Sequence, residues 1–172
     1  MNISFTDTSE ASFSSSGLYR WSLSRRLNNN IRTIIFIVLN PSKASASKND
    51  PTLRRLINLS SSWGYGNLIV VNLFARISSS ASFIRRCTDP IGKKNDQEFL
   101  FPINEWSQNL SFDLWLGWGN QGTWQKRNLQ IMEFLKKCYS AFSWIPIFSR
   151  TSFSPLVLRR KDIHSIFQIK SV

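Results

Sequence analysis

Hydrophobic residues along this chain occur in short runs separated by polar turns. The runs Ile31 to Leu39, Asn67 to Phe74 and Phe112 to Leu116 are almost entirely apolar, and Ala141 to Phe148 is a fourth such run. Runs of this kind are typical of strands covered on both faces, as in parallel sheets. Tyr19 to Arg26 instead alternates apolar and polar residues, which predicts a half-buried strand at an edge of the sheet.

The segments between these runs predict helices and loops. Asp50 and Pro51 predict a helix start, with Asp50 as the N-cap and Pro51 at the first helical position. The apolar residues that follow keep to one helical face as far as Gly64. Residues 75–95 carry many Ser and Arg residues and are expected to form a long loop, a kind of segment that often has a function.

Two further helices complete the pattern. One is expected from about Asp96, where Pro102 must kink or restart it, and an amphipathic one is expected over residues 123–138. Because strands and helices alternate, the sequence predicts an α/β fold, a three-layer sandwich around a mostly parallel sheet of about four to five strands. Residues 1–16 are expected to form a loose leader, and residues 17–172 a single domain.

The charge of the chain narrows the classes of partner. Its formal net charge is +12, and an excess of this size attracts polyanions, so nucleic acid or a nucleotide is the expected partner. A high pI without any polyanion partner stays open as an alternative. The cationic residues form short groups, so any basic surface must be assembled by folding. These groups are Arg25-Arg26, Arg54-Arg55, Arg85-Arg86, Lys93-Lys94, Lys136-Lys137 and Arg159-Arg160-Lys161.

Residue counts exclude several kinds of site. His164 is the single histidine, and Cys87 and Cys138 lie far apart without a CxxC pair, so the common zinc sites are excluded. We therefore expect no metal and no other cofactor. A Ser-His-Asp triad could use only His164, which we expect at the surface. No apolar run approaches the ~20 residues of a membrane span, so we expect a cytoplasmic protein with free thiols and no membrane partner.

The chemically informative residues follow the predicted core strands. In an open parallel sheet, ligands bind beyond the carboxyl ends of the strands. The residues expected there include amides that match nucleobase edges, an indole for stacking and guanidinium groups for phosphate. They are Asn40, Ser42, Asn72, Arg76, Trp118, Gly119 and Arg150. We expect Asn40, Asn72 and Trp118 to open into a common cleft, with Arg76 at its rim.

These residues also have purely structural interpretations. Asn40 could close a turn before Pro41, and Trp118 could be a core residue between two turn glycines. Asn72 is harder to explain in this way, because an unpaired amide in an apolar strand costs ~1–3 kcal/mol. It needs either the neighbouring backbone or a ligand as its partner.

Five motifs occur in a specific order along the chain. They are LNPS (39–42), NDPTLRR (49–55), WGYGNLIVVNLFAR (63–76), DPIGKKND (89–96) and GWGNQG (117–122). Together they resemble a widespread bacterial and phage family that is known only as a domain of unknown function. The resemblance covers roughly residues 17–160 and implies a fold, not an activity.

A more distant likeness is to the uracil-DNA glycosylase superfamily, whose members also carry an Asn-Pro motif after the first core strand and an Asn near the end of a later one. The likeness implies that Asn40 helps to place the attacking water and that Asn72 reads the base edge. Asn40 and the nearby Ser42 are the expected catalytic residues. The chain also departs from its nearer family. Ala44-Ser45-Ala46 stands where that family usually has an acidic residue, and Ser154-Pro155-Leu156 stands where it usually has His-Pro-Leu.

Three functions follow from these observations. The first is an enzyme acting on a nucleobase, nucleotide or nucleic acid, with glycosylase-like hydrolysis of an N-glycosidic bond as the first reaction to consider. The second is a non-catalytic, basic nucleic-acid-binding module, which the +12 charge and the many aromatic residues favour. The third, minor one is an interaction protein whose charge only favours acidic partners. A degenerate, inactive member of the family is a further alternative, because the departures remove a carboxylate and an imidazole.

Overall fold

The computed structural model describes residues 9–140 and 156–158 of the chain, and they form an α/β fold. The strands are β1 (Ala11–Phe13), β2 (Arg20–Arg26), β3 (Thr33–Val38), β4 (Asn67–Asn72), β5 (Phe112–Leu116) and β6 (Leu156–Leu158). The helices are α1 (Pro51–Ser62), α2 (Ala81–Arg86), α3 (Asn95–Gln108) and α4 (Arg127–Ser140), with a short 3-10 segment, Asn120–Lys126, before α4. No helix in these described ranges is long and apolar enough to cross a membrane.

The strands form one mixed sheet in the order β1-β2-β4-β3-β5-β6. The pairs β4–β3 and β3–β5 are parallel, whereas β1–β2, β2–β4 and β5–β6 are antiparallel. The predicted mostly parallel sheet of four to five strands is therefore corrected to a mixed one of six. The alternation of strands and helices predicts only the parallel centre, because antiparallel strands join without a crossover helix.

The strand predicted at an edge lies inside the sheet. β2 pairs with β1 on one side, at Ala11↔Leu23, and with β4 on the other, at Leu23↔Val70. β1 belongs to the segment predicted as a loose leader, so three residues of that segment complete the sheet. The register between β1 and β2 shifts by one residue beside Arg20 and Trp21, so simple alternation no longer decides the face of either side chain, and both are buried.

The three apolar runs at the centre are adjacent and parallel, as the sequence predicts. β3 pairs along its whole length with β4, from Thr33↔Asn67 to Val38↔Asn72. On its other side it pairs with β5, ending at Ile37↔Leu116. The carboxyl ends of β3, β4 and β5 therefore share one edge of the sheet, and the loops that follow them meet there.

Helices cover both faces of this centre. On one face, α1 packs through Leu53 and Leu56 on a hydrophobic cluster that includes Phe36 and Val70. On the other face, α3 and α4 pack on a second cluster through the following buried residues: Phe99, Ile103, Trp106, Ile131 and Leu135. Burial on both faces is what the nearly continuous apolar runs require.

The helix predicted at Asp50-Pro51 is confirmed. Asp50 has an extended backbone, and its carboxylate accepts a hydrogen bond from the Leu53 N–H at 2.8 Å. The helix does not restart at Pro102, because α3 continues through it. The apolar face of α3 is buried on both sides of Pro102, and this packing outweighs the one backbone hydrogen bond that proline cannot make.

The remaining segments differ from their predicted bounds. The long loop of residues 75–95 contains the short helix α2, and the helix predicted from residue 123 begins at Arg127. The 3-10 segment before α4 ends in Gln125 and Lys126, which both have positive φ and so separate it from the helix. The strand predicted over residues 141–148 lies outside the described residues.

Candidate ligand-binding site

The loop after β3 forms a polar wall at the shared strand edge. Asn40 donates from Nδ2 to the Ser78 carbonyl at 2.7 Å and to the Pro41 carbonyl at 3.1 Å. The Ser42 hydroxyl is hydrogen-bonded to the Asp50 carboxylate, which also accepts from the Ala44 N–H at 3.0 Å. These contacts tie the LNPS motif to the segment after β4 and to the start of α1.

Asp50 therefore has more than the predicted capping role. Burial opposes its ionisation, but hydrogen bonds from Leu53 N–H, Ser42 and Ala44 N–H, together with the positive charge of Arg20, outweigh this effect and lower the pKa of Asp50. The carboxylate is thus held ionised at the edge of the sheet. In this position it supplies a fixed negative charge rather than a proton acceptor.

Two arginines of β2 reach the same loop, and sequence reasoning missed both. Arg20 donates from Nη1 to the Ala44 carbonyl at 3.1 Å. Arg25 donates from Nε to the Asn49 side chain at 3.0 Å and also binds the Ser45 carbonyl. Alternation of polar and apolar residues predicts solvent for Arg20 and places Arg25 on the face of Trp21 and Leu23, but it contains no signal for the partner of either side chain.

Asn72 lies at the end of β4 and is fully buried. Within the described residues, neither its Nδ2 nor its Oδ1 has a hydrogen-bond partner. Its place in the strand puts its side chain on the face of Val70, beside its register partner Val38. The side chain therefore has no backbone partner in the described residues, and Asn72 is not among the residues that line the two cavities described below.

Two buried side chains cap the carbonyl groups at the end of β4. Asn95 donates to the Asn72 and Leu73 carbonyls at 3.0 and 3.1 Å, and Arg127 donates from Nε to the Leu73 carbonyl at 3.0 Å. Arg127 also forms an ion pair with Asp96. Asn95 and Asp96 end the DPIGKKND motif, so that motif was the available signal for this cap.

The other predicted site residues lie at different places. Arg76 stacks over the Tyr19 ring, with 5.4 Å between the guanidinium carbon and the ring centroid. Trp118 packs against the hydrophobic cluster under α3 and α4, the face opposite to that of Asn72. Gly119 is exposed with a positive φ, and Arg150 lies outside the described residues. The structure thus brings Asn40 and Asn72 to one face of the strand edge but not Trp118.

A small cavity of about 20 Å³ lies against this wall. Its lining includes Arg20, Asn40, Ser42 and Asp50, together with Val38 and Val70, the two neighbours of Asn72 in the sheet. This volume holds one water-sized group. Thr52 also lines the cavity and is exposed, so the cavity opens at the surface.

A larger cavity of about 450 Å³ lies elsewhere, between β1, β2 and the middle of α3. Its lining includes Ser22, Ser24, Phe101 and Pro102 but no candidate site residue, so its size does not make it the site. No group of three His, Cys, Asp or Glu side chains suited to a metal occurs in the described part of the chain. The chemistry at the strand edge therefore rests on amides, hydroxyls, one carboxylate and arginines.

Comparison with curated proteins and with solved structures finds no match to this chain. One family model matches residues 20–155, which include β2 to β5, the loop after β3 and the cap at the end of β4. The match covers most of the chain and the whole strand edge described above. The chain therefore belongs to the family described as Protein of unknown function (DUF1643).

Proposed function

We propose that this protein binds a nucleobase, carried by a nucleotide or a nucleic acid, at the carboxyl ends of β3 and β4. The observation that carries the proposal is the Asn72 amide, which is fully buried without a partner in the described residues. Such an amide costs ~1–3 kcal/mol, and a bound ligand would recover that free energy. An amide offers a donor beside an acceptor, and base edges present the complementary pair.

Hydrolysis of an N-glycosidic bond is the reaction that the surrounding groups support best. The two bonds of Asn40 Nδ2 fix its amide plane, which leaves Oδ1 as an acceptor for the attacking water. Positive charge develops on the sugar when a glycosidic bond breaks. The ionised Asp50 carboxylate would stabilise that charge, and Ser42 would orient Asp50.

Base release and base binding test the proposal separately. Wild-type protein is incubated with uracil-containing, modified and unmodified oligonucleotides, and free bases are measured by mass spectrometry. Nucleoside binding to wild type and Asn72→Leu is measured by calorimetry, with Asn104→Leu, an exposed amide of α3, as the control. We expect Asn72→Leu alone to lose binding at least about tenfold, the equivalent of one amide hydrogen-bond pair. Unchanged binding by Asn72→Leu would reject the site, and binding without base release would identify an inactive member.

A non-catalytic nucleic-acid-binding module is the second candidate, and the placement of exposed cations favours it. Arg85 of α2 binds Gln121 in the loop after β5, which joins two loops at the strand edge. Lys94 directly precedes Asn95, and Lys126 directly precedes Arg127, the two residues that cap β4. These exposed cations come from separate parts of the sequence, and a basic rim at the strand edge suits phosphate backbones.

A further inference from the structure

Arg20 is a buried cation that its surroundings leave incompletely paired. It is the first residue of β2 and is 4% exposed. Nη1 donates to the Ala44 carbonyl, whereas Nε is buried with no partner among the described residues. The nearby Asp50 carboxylate is taken up by Ser42 and two backbone N–H groups, and in the described ranges it forms no ion pair with Arg20.

Comparison with Arg25 shows what is unusual about Arg20. Both are buried residues of β2, and both hold the loop after β3 through a carbonyl group. The guanidinium of Arg25 is bonded at Nε, Nη1 and Nη2, to Asn49, Ser24 and Ser45. Holding the loop thus explains Arg25 fully, whereas it explains only one nitrogen of Arg20.

We propose that Arg20 is the anion-binding residue of this site and takes a phosphate oxygen of the ligand; the inference rests on the proposed function. Arg20 lines the small cavity together with Asn40 and Ser42. A cavity of about 20 Å³ accepts one oxygen atom, with the rest of the phosphate toward the opening at Thr52. A planar guanidinium suits phosphate, and burying a cation is unfavourable until an anion pairs with it.

The electrostatics of Arg20 agree with this role. Burial lowers the pKa of Arg20 to about 10, with Asp50 acting against the shift and Arg25 adding to it. The guanidinium stays charged at neutral pH but lacks solvent to stabilise it. A phosphate oxygen at the unpaired Nε would supply the missing interaction and would do so in a site of low polarity, where charge-assisted hydrogen bonds are strong.

The test compares nucleosides, their 5′-monophosphates, inorganic phosphate and a ten-nucleotide single strand as probes. Calorimetry is run on wild type, Arg20→Gln, Arg20→Lys and the control Arg55→Gln, at an exposed arginine of α1, with circular dichroism to verify folding. We expect wild type and Arg55→Gln to prefer the nucleotide by about tenfold or more over the nucleoside, as one charge-assisted hydrogen bond implies. Arg20→Gln should lose that preference and keep nucleoside binding, and Arg20→Lys should restore part of it.

The outcomes separate this inference from the proposed function. A preference that survives in Arg20→Gln overturns the role of Arg20 while base binding stands. If the glutamine variant does not fold, an undiminished preference in Arg20→Lys overturns it. Failure of wild type to bind any nucleoside overturns the proposed function. In that case inorganic phosphate still tests Arg20, because it should raise the Tm of wild type but not of Arg20→Gln. If Arg20 increases the affinity for the single strand but not for the mononucleotides, the phosphate that it binds belongs to a nucleic-acid backbone.

Discussion

At the residue scale, Asn72 at the end of β4 and Asn95 at the start of α3 are fully buried amides, and Asn95 Oδ1, like both side-chain atoms of Asn72, has no partner in the described residues. Asn95 Nδ2 donates to two carbonyl groups, whereas the Asn72 side chain has no partner in the described residues. We therefore expect Asn72→Leu, which keeps the shape, to raise the free energy of unfolding by ~1–3 kcal/mol. Asn95→Leu should lower it by a similar amount, because the Asn72 carbonyl loses this buried donor and the Leu73 carbonyl keeps only Arg127. Urea unfolding measures both, and a destabilised Asn72→Leu would show that the amide has a structural partner.

Gly117 is a second residue whose role depends on its neighbours. A Cβ at this position would lie 1.5 Å from the Trp115 ring, which itself packs edge-on against Phe36. We expect Gly117→Ala to destabilise the protein by ~1–3 kcal/mol, because the indole must move out of its packed position. The same change in a Trp115→Leu background should cost clearly less, since the ring is gone. If urea unfolding shows that Gly117→Ala lowers the free energy of unfolding equally in both backgrounds, the steric role of Gly117 is contradicted.

At the element scale, the start of α1 couples helix capping to the loop after β3 through one carboxylate. The pKa of Asp50 in the folded protein lies below its ordinary value of 3.8, so the unfolded state binds its proton first as pH falls. Its stabilising contribution is therefore complete above pH 3.8 and is lost as pH falls through the lower folded value. We expect the stability difference between wild type and Asp50→Asn to shrink as the pH is lowered from 6 to about 3.

Thermal unfolding at several pH values measures that difference. Asparagine is a good N-cap, so Asp50→Asn isolates the charge, whereas Asp50→Ala also removes the cap at a cost of about 1 kcal/mol. Asp89→Asn, in the loop after β4, serves as the control for the loss of one negative charge at a carboxylate that also accepts a backbone N–H. A difference between wild type and Asp50→Asn that is constant with pH would contradict the titration of Asp50.

At the scale of the whole molecule, the net charge of +12 is less informative than where folding places the cations. Lys93 and Lys94 precede the cap at the end of β4, whereas Lys136 and Lys137 lie far along α4. Removing either pair lowers the charge equally. We expect Lys93→Gln/Lys94→Gln to reduce the salt dependence of single-strand binding. The slope of the logarithm of the binding constant against the logarithm of the salt concentration should become smaller in magnitude by up to about 1.4. Lys136→Gln/Lys137→Gln should leave the slope nearly unchanged, and equal effects of the two pairs would contradict a localised basic rim.

Part of the site could be predicted from the sequence because it depends on strand ends. Asn40 and Asn72 end two apolar runs, and parallel pairing of those runs brings them to one edge. Trp118 also follows such a run, yet it packs against the cluster on the opposite face. The sequence does not encode that choice in any local pattern, because the face taken after a strand end depends on how the following turn packs.

The sequence by itself determined three features, since each depends on neighbours in the chain. The central strands follow from apolar runs, and the start of α1 follows from a capping residue before proline. The isolated amide of Asn72 is one polar residue among apolar ones. Only the tertiary structure decided which faces and partners these elements have. β1 turns the predicted edge strand into an inner one, and burial then converts Arg20 from an apparently solvated cation into part of the site wall. Such outcomes depend on contacts between segments that are distant in the sequence. Desolvation at those contacts decides which charged groups are left without a partner, and the local sequence pattern does not.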